Sequence, residues 1–243
     1  GSEMCIRDSN GIARVLNFAG LVPPEQSRFF NWSKPFVQLE TTRGCFNTCA
    51  FCVSGGEKPV RTLSIESIRR RLQLIHAHGI KNVRVLDRTF NYNPRRAKEL
   101  LRLFLEFHPD IRFHLEIHPA LLSEELKEEL SLLPKGLLHL EAGIQSLREP
   151  VLEKSRRMGK LSDALDGLRF LCALPNMETH ADLIAGLPLY HLHEIFEDVR
   201  TLAGYAAGEI QLESLKLLPG TEMRRRAEES GIKYSPLPPY EVL

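Results

Sequence analysis

The sequence predicts an α/β fold, specifically a partial (β/α)6 barrel that is TIM-like but open. From residue 36 onward, short apolar runs alternate with longer amphipathic segments, which is typical of repeated βα units and a parallel sheet. The alternation occurs six times, which is too few to close an eight-stranded barrel. We interpret residues 1–34 as a leader or linker, 35–230 as the barrel and 231–243 as a C-terminal extension. The length of 243 residues suits such a domain.

The predicted strands are short apolar runs bounded by turn-forming or capping residues. They cover residues 36–40, 83–86, 113–117, 137–144, 178–184 and 210–217. Several of these runs are apolar on successive residues, which is typical of strands covered on both faces. We therefore expect a sheet buried on both sides.

The predicted helices follow the strands and begin at capping residues. They cover residues 65–78, 94–107, 124–133, 161–173, 191–204 and 222–229. Ser64, Asn93 and Ser123 can each accept a hydrogen bond from the first turn of a helix. Pro94 suits the first helical position, and Gly79 suits the end of the first helix.

The composition argues against several classes of function. Lys plus Arg number 32 and Asp plus Glu 31, so the net charge of +1 favours neither nucleic acid nor an anionic membrane as a partner. No apolar run approaches the roughly 18–20 residues of a membrane span.

The five cysteines are odd in number and three are clustered, which indicates metal chemistry in a reducing, cytoplasmic compartment. Cys5 lies in the polar leader, and Cys172 is interpreted as a buried, inert thiol.

The clustered cysteines form the strongest motif in the chain. Cys45, Cys49 and Cys52 have the spacing C-x3-C-x2-C and follow the first predicted strand directly. Three thiolates on so short a loop can converge on one cubane iron–sulfur cluster and leave one iron without a protein ligand. An open coordination position distinguishes a catalytic metal centre from a closed structural one. Gly44 allows the chain to turn sharply as it leaves the strand.

The alternative is a non-catalytic iron–sulfur or zinc-binding barrel protein. Structural zinc requires four ligands, and no fourth cysteine is near the motif. The nearest later histidine is His76, which lies within a predicted helix. The metal content of protein purified without oxygen distinguishes the two interpretations.

The cysteine motif resembles that of the radical S-adenosylmethionine (SAM) superfamily, which has an aromatic residue before the last cysteine. Phe51 occupies that position, and the resemblance extends over about residues 36–230. It implies a [4Fe–4S] cluster whose open iron is chelated by SAM. It further implies reductive cleavage of SAM to a 5′-deoxyadenosyl radical that abstracts hydrogen from a small-molecule or peptide substrate. Flavodoxin or ferredoxin is the implied electron donor.

A narrower resemblance is to the radical SAM proteins that are associated with cobalamin-binding domains. It is carried by residues 85–91, 182–188 and 234–242. It implies cobalamin-dependent methyl transfer in the full-length protein. Members of that group carry the cobalamin domain before the barrel, and residues 1–34 are too few to form one. We therefore expect cobalamin to require a domain absent from this chain, and residues 231–243 to be a truncated extension.

The resemblance also suggests which residues contact SAM at the ends of the second and third strands. Asp87 and Arg88 occupy the place where many members have Gly-Gly-Glu, a motif that binds the amino group of SAM. An ion pair between these two neighbours is the alternative. Glu116 ends the third strand, where a carboxylate suits a ribose hydroxyl or a polar group of the substrate.

The fourth and fifth strands supply the remaining candidates. Gln145 lies in a motif similar to that of the coproporphyrinogen dehydrogenase type, in which the glutamine contacts SAM. Arg157 follows at the spacing of an arginine that binds the SAM carboxylate, with Arg156 as a rival and a surface role as the alternative. Asp182 in the fifth strand is expected to meet SAM or substrate, or else to pair with a core arginine.

The histidines do not form a ligand set in the sequence. His118, after the third strand, is the one that we place in the cavity. His139 and Glu141 point the same way along the fourth strand and are interpreted as barrel-filling groups or a buried pair. We assign four further histidines to solvated faces, namely His76, His78, His191 and His193.

Overall fold

The computed structural model describes residues 20–205 and 208–243, so most of the predicted leader, including Cys5, lies outside the described residues. Within them the strands are β1 (Val37–Leu39), β2 (Thr42–Arg43), β3 (Arg61–Thr62), β4 (Asn82–Val85), β5 (Arg112–Ile117), β6 (Leu138–Gln145), β7 (Glu178–Ala185) and β8 (Glu209–Ser214). The helices are α1 (Ile65–Ala77), α2 (Pro94–Leu105), α3 (Glu124–Leu132), α4 (Glu149–Lys154), α5 (Leu161–Ala173), α6 (Leu192–Ala203) and α7 (Glu222–Arg225).

Six of the strands form one sheet in the order β1-β4-β5-β6-β7-β8, and every neighbouring pair is parallel. The edge strands β1 and β8 do not pair with each other, so the barrel is open. The predicted partial (β/α)6 barrel is confirmed. None of the described helices has both the length and the apolar character needed to cross a membrane.

The predicted helix starts are confirmed by their caps. The side chains of Ser64, Asn93 and Ser123 each accept a hydrogen bond from the third residue of the helix that follows. The last predicted helix, 222–229, is shorter in the structure, because α7 ends at Arg225 and the chain then continues in turns. The helix α4 and the small antiparallel sheet of β2 and β3 were not predicted.

The expectation that both faces of the strands are apolar is wrong for most of the sheet. In β5 and β6 the buried residues alternate with half-exposed ones. Leucine, isoleucine and phenylalanine side chains face the helices, whereas polar side chains such as His114, Glu116 and Glu141 face the lumen of the barrel. An open barrel leaves its lumen accessible to solvent, so that face is not filled by apolar groups. Only β7 among the described strands has a run of five buried residues.

Apolar side chains form two separate clusters. The larger one lies between the sheet and the helices and contains fully buried residues such as Leu39, Phe104 and Phe113. The smaller one includes Ala50, from the cysteine loop, and Leu217. The predicted C-terminal extension packs against this second cluster, and Val242 N donates to Leu215 O at 3.2 Å.

Candidate active site

The cysteine loop, residues 44–60, connects β2 to β3. Cys45 N donates to Glu57 O at 3.0 Å, and Gly56 N donates to Asn47 O at 2.7 Å. Gly44 has a φ of 101°, and a Cβ at this position would lie 2.5 Å from Glu57 O. Both the left-handed conformation and the close approach of the backbone therefore require glycine here, as the sequence predicted.

Three free thiols lie on this loop. Cys45 and Cys49 are buried and Cys52 is partly exposed. Burial raises the pKa of Cys49, and the guanidinium of Arg157 opposes that shift. Nη1 of Arg157 lies 3.9 Å from Sγ of Cys49, where its charge favours the thiolate that iron requires. The donor set thus suits a metal cluster with three protein ligands.

The remaining described cysteine cannot complete this set. Cys172 is half-buried and lines a separate cavity with His139, Thr179 and Gly208, at the amino ends of β6, β7 and β8. The cysteine loop follows the opposite, carboxyl end of β1. Cys172 and the other three thiols therefore lie at opposite ends of the parallel strands.

The loop is fastened to later parts of the chain. Ala50 N donates to Ser155 O at 2.9 Å, and Met223 N donates to Ala50 O at 2.8 Å. Oδ1 of the buried Asn47 accepts a hydrogen bond from Met158 N at 3.3 Å. The segment after α4 and the start of α7 therefore fix the loop against the barrel mouth.

A cavity of about 80 Å³ opens at the carboxyl ends of the strands. It is lined by Arg88, Thr89, Glu116, Ile117, His118, Glu141, Gly143, Gln145, Arg157 and Asp182. Five residues proposed from the sequence as SAM or substrate contacts thus meet at one place, together with His118. Thr89 connects the cavity to the loop, since its Oγ1 lies 3.9 Å from Sγ of Cys45.

An irregularity in β6 shapes the cavity wall. The register of β6 against β7 shifts between Gly143 and Gln145, and Gln145 has a φ of 74°. A Cβ on Gly143 would lie 2.5 Å from Nε2 of Gln145. Nη2 of Arg157 donates to Gly143 O at 2.6 Å. Because Gly143 has no side chain, it leaves room for the side chains of Gln145 and Arg157.

The neighbouring arginines have different environments. Arg156 is exposed and pairs with Glu222, away from the cavity. Arg157 is half-buried between Cys49 and Gly143. The structure thus directs Arg157, and not its rival, toward the cavity.

The carboxyl groups of the lumen have different pKa values. Burial, aided by the charge of Glu141, raises the pKa of Glu116 to about 7 and that of Asp182 to about 8. His114, which hydrogen-bonds Glu141, and the nearby His180 hold the pKa of Glu141 below its usual range. At neutral pH Glu141 is ionised and Asp182 is protonated. Glu116 lies 3.8 Å from Nη1 of Arg88.

His118 contributes an uncharged imidazole. Burial and the neighbouring Arg157 lower its pKa to about 3. Nε2 lies 3.0 Å from Met158 O and therefore carries the proton, which leaves Nδ1 as an acceptor. Nδ1 is buried and has no hydrogen-bond partner among the described residues.

Two of the predicted contacts lie outside the cavity lining. The buried carboxylate of Asp87 accepts hydrogen bonds at 2.8 Å from the backbone N–H groups of Thr41 and Thr42, so it fixes the turn before the cysteine loop. Burial raises its pKa. The ion-pair alternative with Arg88 is not seen, because Arg88 pairs with Glu116. Phe51 packs beside the second apolar cluster.

Sequence reasoning missed several residues of the site. Gly143 could have been singled out, since it interrupts an otherwise well-formed strand only two residues before Gln145. Asn47, Thr89 and His114 gave no such signal. Their importance comes from contacts with residues distant in the chain.

Comparison with protein families gives a match to the radical SAM superfamily over residues 39–202. The chain is 28% identical over 190 residues to the ribosomal protein uS12 methylthiotransferase RimO of Moorella thermoacetica, covering 72% of this chain and 43% of that protein. It is also 28% identical over 189 residues to a tRNA-2-methylthio-N(6)-dimethylallyladenosine synthase of Herpetosiphon aurantiacus, covering 71% of this chain and 41% of the relative. The chain thus spans about two fifths of these relatives.

Solved structures share the fold. The radical SAM methyltransferase TsrM of Kitasatospora setae, solved with cobalamin and a [4Fe–4S] cluster, superposes with a TM-score of 0.68 at 21% identity. The similarity covers 84% of this chain and 43% of TsrM. It supports the barrel architecture.

Proposed function

This chain belongs to the radical SAM superfamily, which implies a [4Fe–4S] cluster and SAM as cofactors, and we propose that Cys45, Cys49 and Cys52 hold the cluster while SAM occupies the adjacent cavity. The observation that carries this proposal is the position of Arg157. Its guanidinium contacts the sulfur of Cys49 and the carbonyl of Gly143, so it joins the thiol loop to the cavity wall.

The reduced cluster, when bound, would supply the electron that splits SAM into methionine and a 5′-deoxyadenosyl radical, which abstracts hydrogen from the substrate. The residues of the chain bind and orient. Arg157 can pair with the SAM carboxylate, because a guanidinium matches a carboxylate in two hydrogen bonds. Gln145 can donate to and accept from a ribose hydroxyl. Nδ1 of His118 offers an acceptor that nothing else described uses.

The substrate side of the cavity is acidic. Glu116, Glu141 and Asp182 line it, and Glu141 is the carboxylate that stays ionised. Glu116 and Asp182 are the residues that we propose to meet SAM hydroxyls or polar groups of the substrate. Arg88 neutralises part of the charge of Glu116.

We further propose that the completed reaction is a group transfer. The names of the sequence relatives describe methylthiotransferases, whereas our sequence analysis predicted methyl transfer. Methyl transfer through cobalamin would use a domain that is not among these residues. The substrate would be a small molecule or peptide, and flavodoxin or ferredoxin the electron donor.

The proposal is tested by anaerobic reconstitution of the chain with iron and sulfide, followed by reduction in the presence of SAM. We expect about four irons per chain and slow formation of 5′-deoxyadenosine without substrate, measured by chromatography. Absence of 5′-deoxyadenosine from protein with a verified cluster would contradict SAM cleavage. A colourless protein that retains zinc in the cysteine loop would support the alternative of a non-catalytic barrel.

A further inference from the structure

A second group of metal-ligating side chains lies deeper in the lumen of the barrel. His114, Glu141 and His180 project into it from the adjacent strands β5, β6 and β7. One donor atom from each of the three lies within 4.8 Å of the other two. Two imidazoles and a carboxylate are a ligand set that zinc and other divalent transition ions take in proteins.

Two of the separations between donor atoms are close to those around a single ion. Nε2 of His180 lies 3.6 Å from Oε2 of Glu141 and 3.4 Å from Oδ1 of Asp182. Ligands at the zinc–nitrogen and zinc–oxygen distances of about 2.0–2.1 Å are about 3.3–3.5 Å apart in a tetrahedron. Nε2 of His114 is 2.7 Å from Oε2 of Glu141, a hydrogen bond that opens by less than about 1 Å to admit an ion.

Buried polar atoms that lack a hydrogen bond provide further support. The side chain of His180 is only 6% exposed, yet among the described residues its Nε2 makes no hydrogen bond and has only the longer ion-pair contacts with Glu141 and Asp182. Oδ1 of Asp182, which faces it, likewise makes no hydrogen bond among these residues. Buried polar groups in folded proteins are nearly always satisfied, because leaving one unpaired is costly. One cation between them would satisfy both atoms.

Nδ1 of His180, the ring nitrogen on the other side from Nε2, also has a close polar neighbour. This Nδ1 lies 2.7 Å from Nε2 of His139, and metal-bound imidazoles are usually oriented by a hydrogen bond of this kind. Arg112 donates to Nδ1 of His139, so the proton between the two histidines belongs to His139. Ion binding would reverse this hydrogen bond, and Arg112 would keep its pairing with Glu178.

We propose that His114, Glu141, His180 and Asp182 bind a divalent ion of the zinc type, at a site distinct from the cysteine loop. Binding of the ion would displace the proton of Asp182 to solvent, and the two resulting carboxylates with two neutral imidazoles would make the site electrically neutral. An ion can enter from the amino ends of the strands, where His139 and His180 line a cavity of about 240 Å³. Glu141 and Asp182 also line the upper cavity, so the ion would order its floor.

The test uses the full chain with Cys45, Cys49 and Cys52 loaded with the iron–sulfur cluster, so that these thiols do not take up zinc. After dialysis against micromolar zinc chloride, metal analysis should find one zinc per chain. X-ray absorption at the zinc edge should show only nitrogen and oxygen neighbours at about 2.0–2.1 Å, without the sulfur shell at about 2.3 Å that cysteine ligation gives.

Variants separate this site from adventitious binding. Glu141→Gln preserves the volume of the side chain and should weaken zinc binding at least tenfold, and His114→Ala should do the same. His193→Ala, on the exposed start of α6, is the matched control and should bind zinc as the parent does. A sulfur shell, no retained zinc in the parent, or unchanged affinity in both folded site variants would overturn the proposal. Thermal melting without zinc verifies that each variant is folded.

Discussion

Arg157 shows how one side chain can serve two parts of a site. Its guanidinium lies 3.9 Å from Sγ of Cys49 and 2.6 Å from the carbonyl oxygen of Gly143. The charge favours the thiolate form of Cys49, whereas the hydrogen bond fixes the guanidinium against the strand that carries Gln145. The sequence analysis chose Arg157 by its spacing and kept Arg156 as a rival. The structure separates them, because Arg156 pairs with Glu222 at the surface.

Replacement of Cys49 by alanine should abolish cluster assembly, because two thiolates cannot hold a cubane that three were needed to anchor. The iron content of anaerobically reconstituted protein measures this and should fall close to zero. Cys172→Ala is the control, since Cys172 lies at the other end of the sheet, and it should keep about four irons. Full iron loading in Cys49→Ala would refute the assignment of the ligands.

Removal of the polar groups of Gln145 or Arg157 should weaken SAM binding without unfolding the protein. Loss of one charge-assisted contact from Arg157→Ala should cost on the order of 1.5–3 kcal/mol, a roughly ten- to hundredfold lower affinity. For Gln145 we prefer glycine as the replacement, because the φ of 74° suits glycine and the change adds no backbone strain.

SAM affinity is measured by titration of the cluster-loaded protein, alongside thermal unfolding. Arg156→Ala removes a neighbouring charge that faces the surface, so its affinity for SAM should match that of the parent. A loss in Arg156→Ala with none in Arg157→Ala would show that the wrong arginine had been chosen. Unchanged affinity together with a lower melting temperature would show that Gln145 and Arg157 are structural.

Among the elements, the strands and long helices were predictable because their signals are local. Ser64, Asn93 and Ser123 are visible as caps in the sequence, and each forms the expected hydrogen bond. The short helix α4 and the sheet of β2 and β3 carry little local signal. They contact each other through a hydrogen bond between Ala50, in the loop between the two strands, and Ser155, which lies more than a hundred residues later. The bulge at Gly143 likewise depends on the partner strand.

The contact between α5 and the turn after β5 is a place where one methyl group should be destabilising. A Cβ on Gly167 would lie only 2.1 Å from Pro119 O, a backbone atom that cannot turn away. Gly167→Ala should therefore lower the free energy of unfolding by about 1–3 kcal/mol, the usual cost of overpacking. It should also disturb His118, the residue before Pro119.

Chemical denaturation measures the change in unfolding free energy. Gly204→Ala is the matched control, because Gly204 has a φ of −70° and its nearest neighbour to an added Cβ is 3.3 Å away. Its stability should change by less than about 1 kcal/mol. Equal stability of Gly167→Ala and the control would mean that α5 can shift away from the turn at little cost.

At the scale of the whole molecule, the described residues form one apolar core for the barrel and another beneath the cysteine loop. The periodic apolar residues of the helices predict the barrel core. No such pattern predicts the second cluster, because its members come from separate loops or element ends, as Ala50, Leu187, Leu217 and Met223 do. The polar lumen was also missed, because runs of successive apolar residues were taken as evidence that both faces of the strands are buried. Parallel strands lining an open, solvated lumen keep one polar face.

Two leucine-to-alanine variants, one in each apolar cluster, should show that retention of the iron–sulfur cluster does not simply follow the stability of the whole domain. Leu171 in the barrel core and Leu217 in the second cluster are both fully buried, so truncation of either to alanine should cost about 2–5 kcal/mol. Only Leu217→Ala should loosen the cysteine loop, because the same apolar cluster contains Ala50, and Met223, another member, donates a hydrogen bond to Ala50 O.

The rate at which a chelator removes iron from the cluster-loaded protein, well below the melting temperature, reports on the loop itself. That rate should rise several-fold in Leu217→Ala and stay near the parent value in Leu171→Ala, even where the two melt alike. Local opening of a loop is governed by the contacts of that loop and not by the total stability of the domain. Equal rates of iron loss in the two variants would show that the loop opens only when the whole barrel unfolds.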